Sequence, residues 1–218
     1  MAEMTGFDPA QAEQQLNDFN AYGNIVVMNA YRAAHELFLN LRDNWCSPKA
    51  VEFGETYAPK IESIRENLHI MYRQIYRSGV DAYNIIARAH GDIAELAQED
   101  LQPDEATSYT EGVITWTLKE ASSGGVVGMN VANTELALRV FLDEMKSVVN
   151  NVENTPTDIA FYDPDGSQKA AYRSEITKMI NSINEIVASV NEALSNAMET
   201  ETNTIMLAKD SAAGTMAG

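Results

Sequence analysis

The arrangement in this chain closest to a metal-binding motif is Glu66-Asn67-Leu68-His69. Residues three apart share a face of a helix, and di-iron carboxylate bundles use that spacing to aim a carboxylate and an imidazole inward together. Such a site needs a second Glu-x-x-His pair and two further glutamates. The other histidines supply none, because Arg32 stands three residues before His35 and Ala87 three before His90. An unpartnered histidine beside the core residue Leu68 is the simpler reading, so neither metal nor cofactor is expected. Cys46 next to Trp45 is the second candidate for chemistry, as a reactive thiol or an intermolecular disulfide site. No histidine lies near it in sequence to lower its pKa, which favours an inert thiol. No Ser/His/Asp arrangement, phosphate loop or nucleotide fingerprint is present. The expectation is a protein without enzymatic activity.

The bulk composition narrows the partners. The 218 residues carry 32 acids against 15 bases, a formal net charge of −17, and no basic stripe interrupts the excess. That balance repels nucleic acid and anionic membranes. At 45% apolar residues the chain can build a core. One cysteine excludes an internal disulfide. The segment Met1–Phe7 lacks a basic region and an apolar core, so no ordinary secretory signal peptide is expected. Its apolar stretches are too short to span a bilayer, so no membrane insertion is expected.

Long helical patterns position these residues. Asp8 caps the first, Pro9 fits the first helical position, and apolar residues recur from Leu16 to Leu41 at alternating three- and four-residue steps. The pattern ends near Asn44. Ser47 and Pro48 start a second helix, whose seam runs from Phe53 through Ile64 and Ile75 to Ala89. Gly79 weakens it, and it should fade near Gln102-Pro103, giving a rod on the order of 70 Å at ~1.5 Å per residue. Residues 103–127 are read as a linker, with a short helix capped by Asp104 and a hinge at Ser122-Ser123-Gly124-Gly125. A third helix spans about Met129 to Val152, with Leu138, Phe141, Leu142, Met145 and Val148 on one face. A turn-rich stretch and a last helix follow, fraying from Ser211.

The two helix breaks look alike. Trp45-Cys46-Ser47 is followed six residues after Ser47 by Phe53, and Pro164-Asp165-Gly166 is followed six residues after Gly166 by Tyr172. The fold expected is all-α: two tandem long helical hairpins, residues 1–102 and 128–218, forming an elongated antiparallel four-helix bundle.

Helix, Trp-X-Gly turn, helix resembles the small WXG proteins, the early-secreted-antigen family exported by type VII secretion systems. Here Ser47 stands in the Gly position of the motif. In the second copy Gly166 is present and the Trp is missing, with Phe161 and Tyr162 nearby. Family members are single hairpins that pair antiparallel, and this chain looks like two such units fused. The resemblance implies a type VII secretion substrate or partner protein, made in the cytoplasm and exported to the surface or medium without a signal peptide. Its partners would be the secretion machinery or a co-secreted helical protein. The residues expected to serve recognition are Trp45, Ser47, Phe53, Gly166 and Tyr172. The family's export signal, Tyr-X-X-X-Asp/Glu, is absent: no Tyr here is followed four residues later by an acid. A cytoplasmic helical adaptor is the competing reading, and a metal-binding bundle a more distant one. Two seams in one chain imply a monomer with intramolecular pairing. Trp45 is read either as a recognition residue at an exposed hairpin tip, where Trp45→Ala costs little stability, or as the closure of the core end, packed on Phe53.

Overall fold

The structure, a computed structural model, describes residues 7–97, 117–121 and 127–216. Among these it is mostly helical. Helix α1 spans Pro9–Asn44, α2 Pro48–His90, α3 Val131–Glu153 and α4 Ser167–Met216. Two strands of two residues, β1 at Trp45–Cys46 and β2 at Gly128–Met129, pair antiparallel. No helix among the described residues is long and apolar enough to cross a membrane. The short helix expected after Asp104 and the Ser122–Gly125 hinge lie outside the described residues.

The helix starts follow local chemistry. Asp8 Oδ1 accepts from the backbone N–H groups of Ala10 and Gln11 at 3.0 and 3.1 Å, and Pro9 needs no partner at the first position. Ser47 Oγ accepts from Ala50 N at 3.1 Å, with Pro48 next. Asn130 caps α3 by accepting from Asn133 N.

Helix α1 packs on α2 and α3, while α4 packs on α3 and α2. One continuous core joins them, drawing Phe19 and Leu37 from α1, Leu68 and Ile75 from α2, Phe141 from α3 and Ile183 from α4. Burying each such side chain contributes about 1.5–3 kcal/mol before entropy is subtracted. Gly23 stands where α1 meets the Tyr72 ring: a Cβ there would lie 2.9 Å from Tyr72 Cγ. Polar contacts pin the end of α3 to the first two helices. The Tyr22 hydroxyl donates to the Asn151 carbonyl at 2.6 Å. Tyr72 Oη lies 2.9 Å from Thr155 Oγ1, which itself donates to the Val152 carbonyl, so Tyr72 is the donor. Burial pushes the Tyr72 phenol far above its ordinary pKa.

Helix α2 is shorter than expected, stopping at His90, next to the last seam residue Ala89, instead of near Pro103. Gly91 takes a left-handed conformation, φ 72°, and its N–H closes on the Ala87 carbonyl, the usual glycine stop. The chain then folds back. The Asn84 amide donates to the Leu96 carbonyl at 2.9 Å and accepts from Leu96 N at 2.8 Å. Both backbone groups of Leu96 are satisfied by one side chain, an alternative to continuing the helix. Helix α2 also passes through Pro59, where one helical hydrogen bond is necessarily missing. Helix α4 continues past Ser211, where fraying was expected, to Met216.

Candidate functional site

Five residues were singled out by the two helix breaks, and they fall into two separate places. Gln168, at the start of α4, donates to the carbonyl and hydroxyl of Ser78. Ser78 lies far along α2 from Pro48, a rise of about 45 Å at ~1.5 Å per residue. Trp45, Ser47 and Phe53 therefore form one cluster, and Gly166 and Tyr172 another.

The first cluster is built into the core. Trp45 is 1% exposed and Phe53 5%. Their ring centroids lie 5.6 Å apart, and Phe53 in turn meets Phe38 at 6.3 Å and stacks on Tyr57 at 4.7 Å. Such ring pairs contribute about 0.5–1.5 kcal/mol beyond burial. The indole N–H of Trp45 is buried and finds no hydrogen-bond partner among the described residues. A modest cost for Trp45→Ala no longer follows, because the side chain closes the core end instead of standing at an open tip.

The backbone of this turn is covered on both sides. Trp45 pairs with Met129 and Cys46 with Gly128. Cys46 also bridges to Lys119 in parallel, and Ser47 N donates to the Lys119 carbonyl at 3.0 Å. Asn130 N donates to the Asn44 carbonyl at 2.7 Å, and the Asn133 amide donates to Asn44 Oδ1 at 2.8 Å. Leu118 is buried in the same core. Segments on either side of residues 122–126 thus grip the Trp45 turn. Cys46 is half-buried and carries no disulfide.

The second cluster caps its helix start with its own residues and is tied to α2 through Gln168 and Ser78. Gly166 has φ 74° and is exposed, a conformation that disfavours any side chain. Asp163 accepts from Gln168 N at 2.8 Å through one oxygen and from Lys169 N at 3.0 Å through the other. Asp165 accepts from Ser167 N at 3.0 Å. Hydrogen bonds from Ser167, side chain first and then backbone, hold the Asp165 carboxyl below its ordinary pKa of 3.8. Tyr172 is 4% exposed, and burial raises its phenol.

Among the described residues no group of three or more His, Cys, Asp or Glu could hold an ion. Glu66 is exposed and His69 half-buried. Burial, followed by the Arg73 and Arg65 charges, pushes the His69 imidazole below its usual pKa.

A feature that motif reading missed lies between α1 and α3 near Asn44. It is a groove with a cavity volume of about 390 Å³. Ala33, Leu37, Ala137 and Phe141 are its buried floor, Leu136 and Val140 its partly exposed rim. Among the described residues, Glu36 is the one charged side chain that lines it. The signal was present in the sequence: Leu136 and Val140 stand one turn apart and off the seam that carries Leu138, Phe141 and Met145.

Compared with known proteins, the chain matches no protein-family model, no curated protein and no solved structure.

Proposed function

We propose that this chain is a non-enzymatic substrate or escort of a type VII secretion system, a single-chain equivalent of a WXG-family pair. The observation that carries the reading is the three-residue Trp45-Cys46-Ser47 turn between two long helices, with Ser47 capping and Pro48 beginning the second. Support for a fused pair comes from α3 and α4 packing on the seam of α1 and α2. On this reading the four helices form an elongated antiparallel bundle, closed within one chain. Docking the second hairpin is then intramolecular, at an effective concentration on the order of millimolar. The Trp45 end of the rod is its recognition end, and Ser47 and Phe53 set the shape of that turn while Gly166 and Tyr172 shape the other connection.

Export is tested by expressing the chain in a bacterium with a type VII system and assaying the culture supernatant with and without the secretion ATPase. ATPase-dependent appearance is expected, and retention in the cell under both conditions sinks the reading. Sedimentation equilibrium over a wide concentration range should give a mass near 24.0 kDa. A concentration-stable dimer would overturn intramolecular pairing, and a spherical scattering envelope would overturn the rod.

A cytoplasmic helical adaptor is the second reading. Two observations favour it: the burial of Trp45, and the absence of Tyr-X-X-X-Asp/Glu anywhere in the chain. The same supernatant assay separates the two.

A further inference from the structure

We propose that the groove between α1 and α3 docks a basic amphipathic helix of another protein, with apolar side chains on Leu136, Val140 and the floor and a Lys or Arg at Glu36. This inference does not depend on the export reading.

Leu136 and Val140 are 56% and 40% exposed. They lie four residues apart on α3, one turn, on the rim of a concavity. The other exposed large apolar residues among those described, such as Ile25, Ile70 and Ile85, have no such partner one turn away. Single exposed apolar residues are ordinary, whereas a pair beside an apolar floor is a surface with something to gain from being covered. The groove follows α1 from Ala33 to Asn44, about 16 Å at ~1.5 Å per residue. That is three turns, the length over which a helix presents side chains at i, i+3/i+4 and i+7 to a groove.

The polar groups at its ends do not suit a small polar ligand. Asn44 and Asn133 are engaged with each other, and the Asn40 amide donates to the Glu36 carbonyl. What remains is apolar surface and a carboxylate. The sign of the partner follows from charge. The chain carries −17, and the charged side chain lining the groove among the described residues is the Glu36 carboxylate. A cationic side chain on the partner complements Glu36, and the field of the whole chain steers a basic partner inward. A second copy of this chain brings the same negative field and is disfavoured.

The test uses the full chain with Leu, Val and Ala methyl groups labelled for NMR. The probe is a synthetic Leu/Lys amphipathic helix of about 18 residues with its apolar side chains at helical spacing. A Leu/Glu helix of the same pattern is the control, and both are titrated at an ionic strength of about 0.15 M to screen loose charge attraction. Saturable binding of the Leu/Lys helix is expected, with shifts centred on Leu136, Val140 and Leu37. The double variant Leu136→Ser, Val140→Ser should weaken it by roughly tenfold or more, as loss of an interface centre does. Glu36→Gln should weaken it by several fold, and Ile25→Ser, equally exposed but elsewhere, should not change it. Melting curves check that each variant folds, and the wild-type shift map decides alone if one does not. The proposal is overturned by shifts spread over other acidic faces, by equal binding of the Leu/Glu helix, by full affinity in the double variant or by no binding. Groove shifts that grow with protein concentration alone would identify a second copy as the occupant and overturn it as well.

Discussion

The turn before α2 and the connection before α4 begin long helices in similar ways and are held by different means. Each has a buried aromatic six residues downstream, Phe53 in one and Tyr172 in the other. The first turn is three residues long and its backbone is paired with Lys119, Gly128 and Met129 from far along the chain. The second runs from Asn154 to Gly166 and satisfies its helix start with its own carboxylates, Asp163 and Asp165. The backbone of the first turn is paired with distant segments, while the second connection supplies its own cap and meets α2 through side chains such as Gln168. Similar spacing in sequence therefore does not imply a similar role in stability.

The contrast breaks first at Trp45. Trp45→Ala should cost about 3–5 kcal/mol, the usual range for a buried large aromatic, and loosen the strand pairing to Met129. Urea denaturation measures the first, and amide exchange at Asn130, whose N–H donates to the Asn44 carbonyl beside that pairing, measures the second. A loss below about 1 kcal/mol would mean that the Trp45 turn does not depend on its distant partners. Trp45→Phe should cost far less, under about 2 kcal/mol, because the ring contact with Phe53 survives and a buried N–H without a partner disappears.

Gly79→Ala tests how the second connection sits on the first hairpin. A Cβ there would lie 3.0 Å from Leu16 Cδ2 and Ile159 Cδ1 and 3.2 Å from the Ile159 carbonyl oxygen. Relief of the glycine helix penalty would add about 1 kcal/mol, but overpacking against a backbone atom costs about 1–3 kcal/mol. A net loss of up to about 2 kcal/mol is expected by thermal or urea melting. A net gain would show that the loop around Ile159 gives way freely.

Asp163→Ala removes two acceptors at the start of α4 and should cost about 1 kcal/mol, as cap losses do, with exchange rising in the first turn of α4 and not at Trp45. The smallest effect is one of pH. The Asp165 carboxyl titrates below 3.8 when folded. Its contribution is therefore present above the unfolded value and is lost as pH falls through the folded one. Asp165→Asn should flatten the acid limb of a stability-versus-pH curve slightly below about pH 4, leaving neutral stability almost unchanged.

Legibility in the sequence tracks how local each cause is. The ends of α1 and the start of α2 were readable because Asp8, Pro9, Ser47 and Pro48 act on backbone groups within three residues. The early stop of α2 was half readable: the seam ends at Ala89 and Gly91 is a glycine stop, but the capture of Leu96 by Asn84 spans 12 residues and leaves no periodic trace. The five nominated residues were read as recognition residues at two similar breaks, and the burial of Trp45, Phe53 and Tyr172 and the distance between the breaks came from the packing. The α1–α3 groove could not be found from motifs, since its walls come from segments about a hundred residues apart.

What this sequence determined alone is a set of long amphipathic helices, an acidic surface and two marked breaks, because hydrophobic period, capping and charge are properties of neighbouring residues. Only the tertiary structure decided that Trp45 is enclosed, that Lys119 and Gly128–Met129 close over its turn, and that Leu136 and Val140 are left on the rim of a groove. Those outcomes depend on which helix faces meet. A seam states that a face must be covered, and the packing of the whole chain decides what covers it.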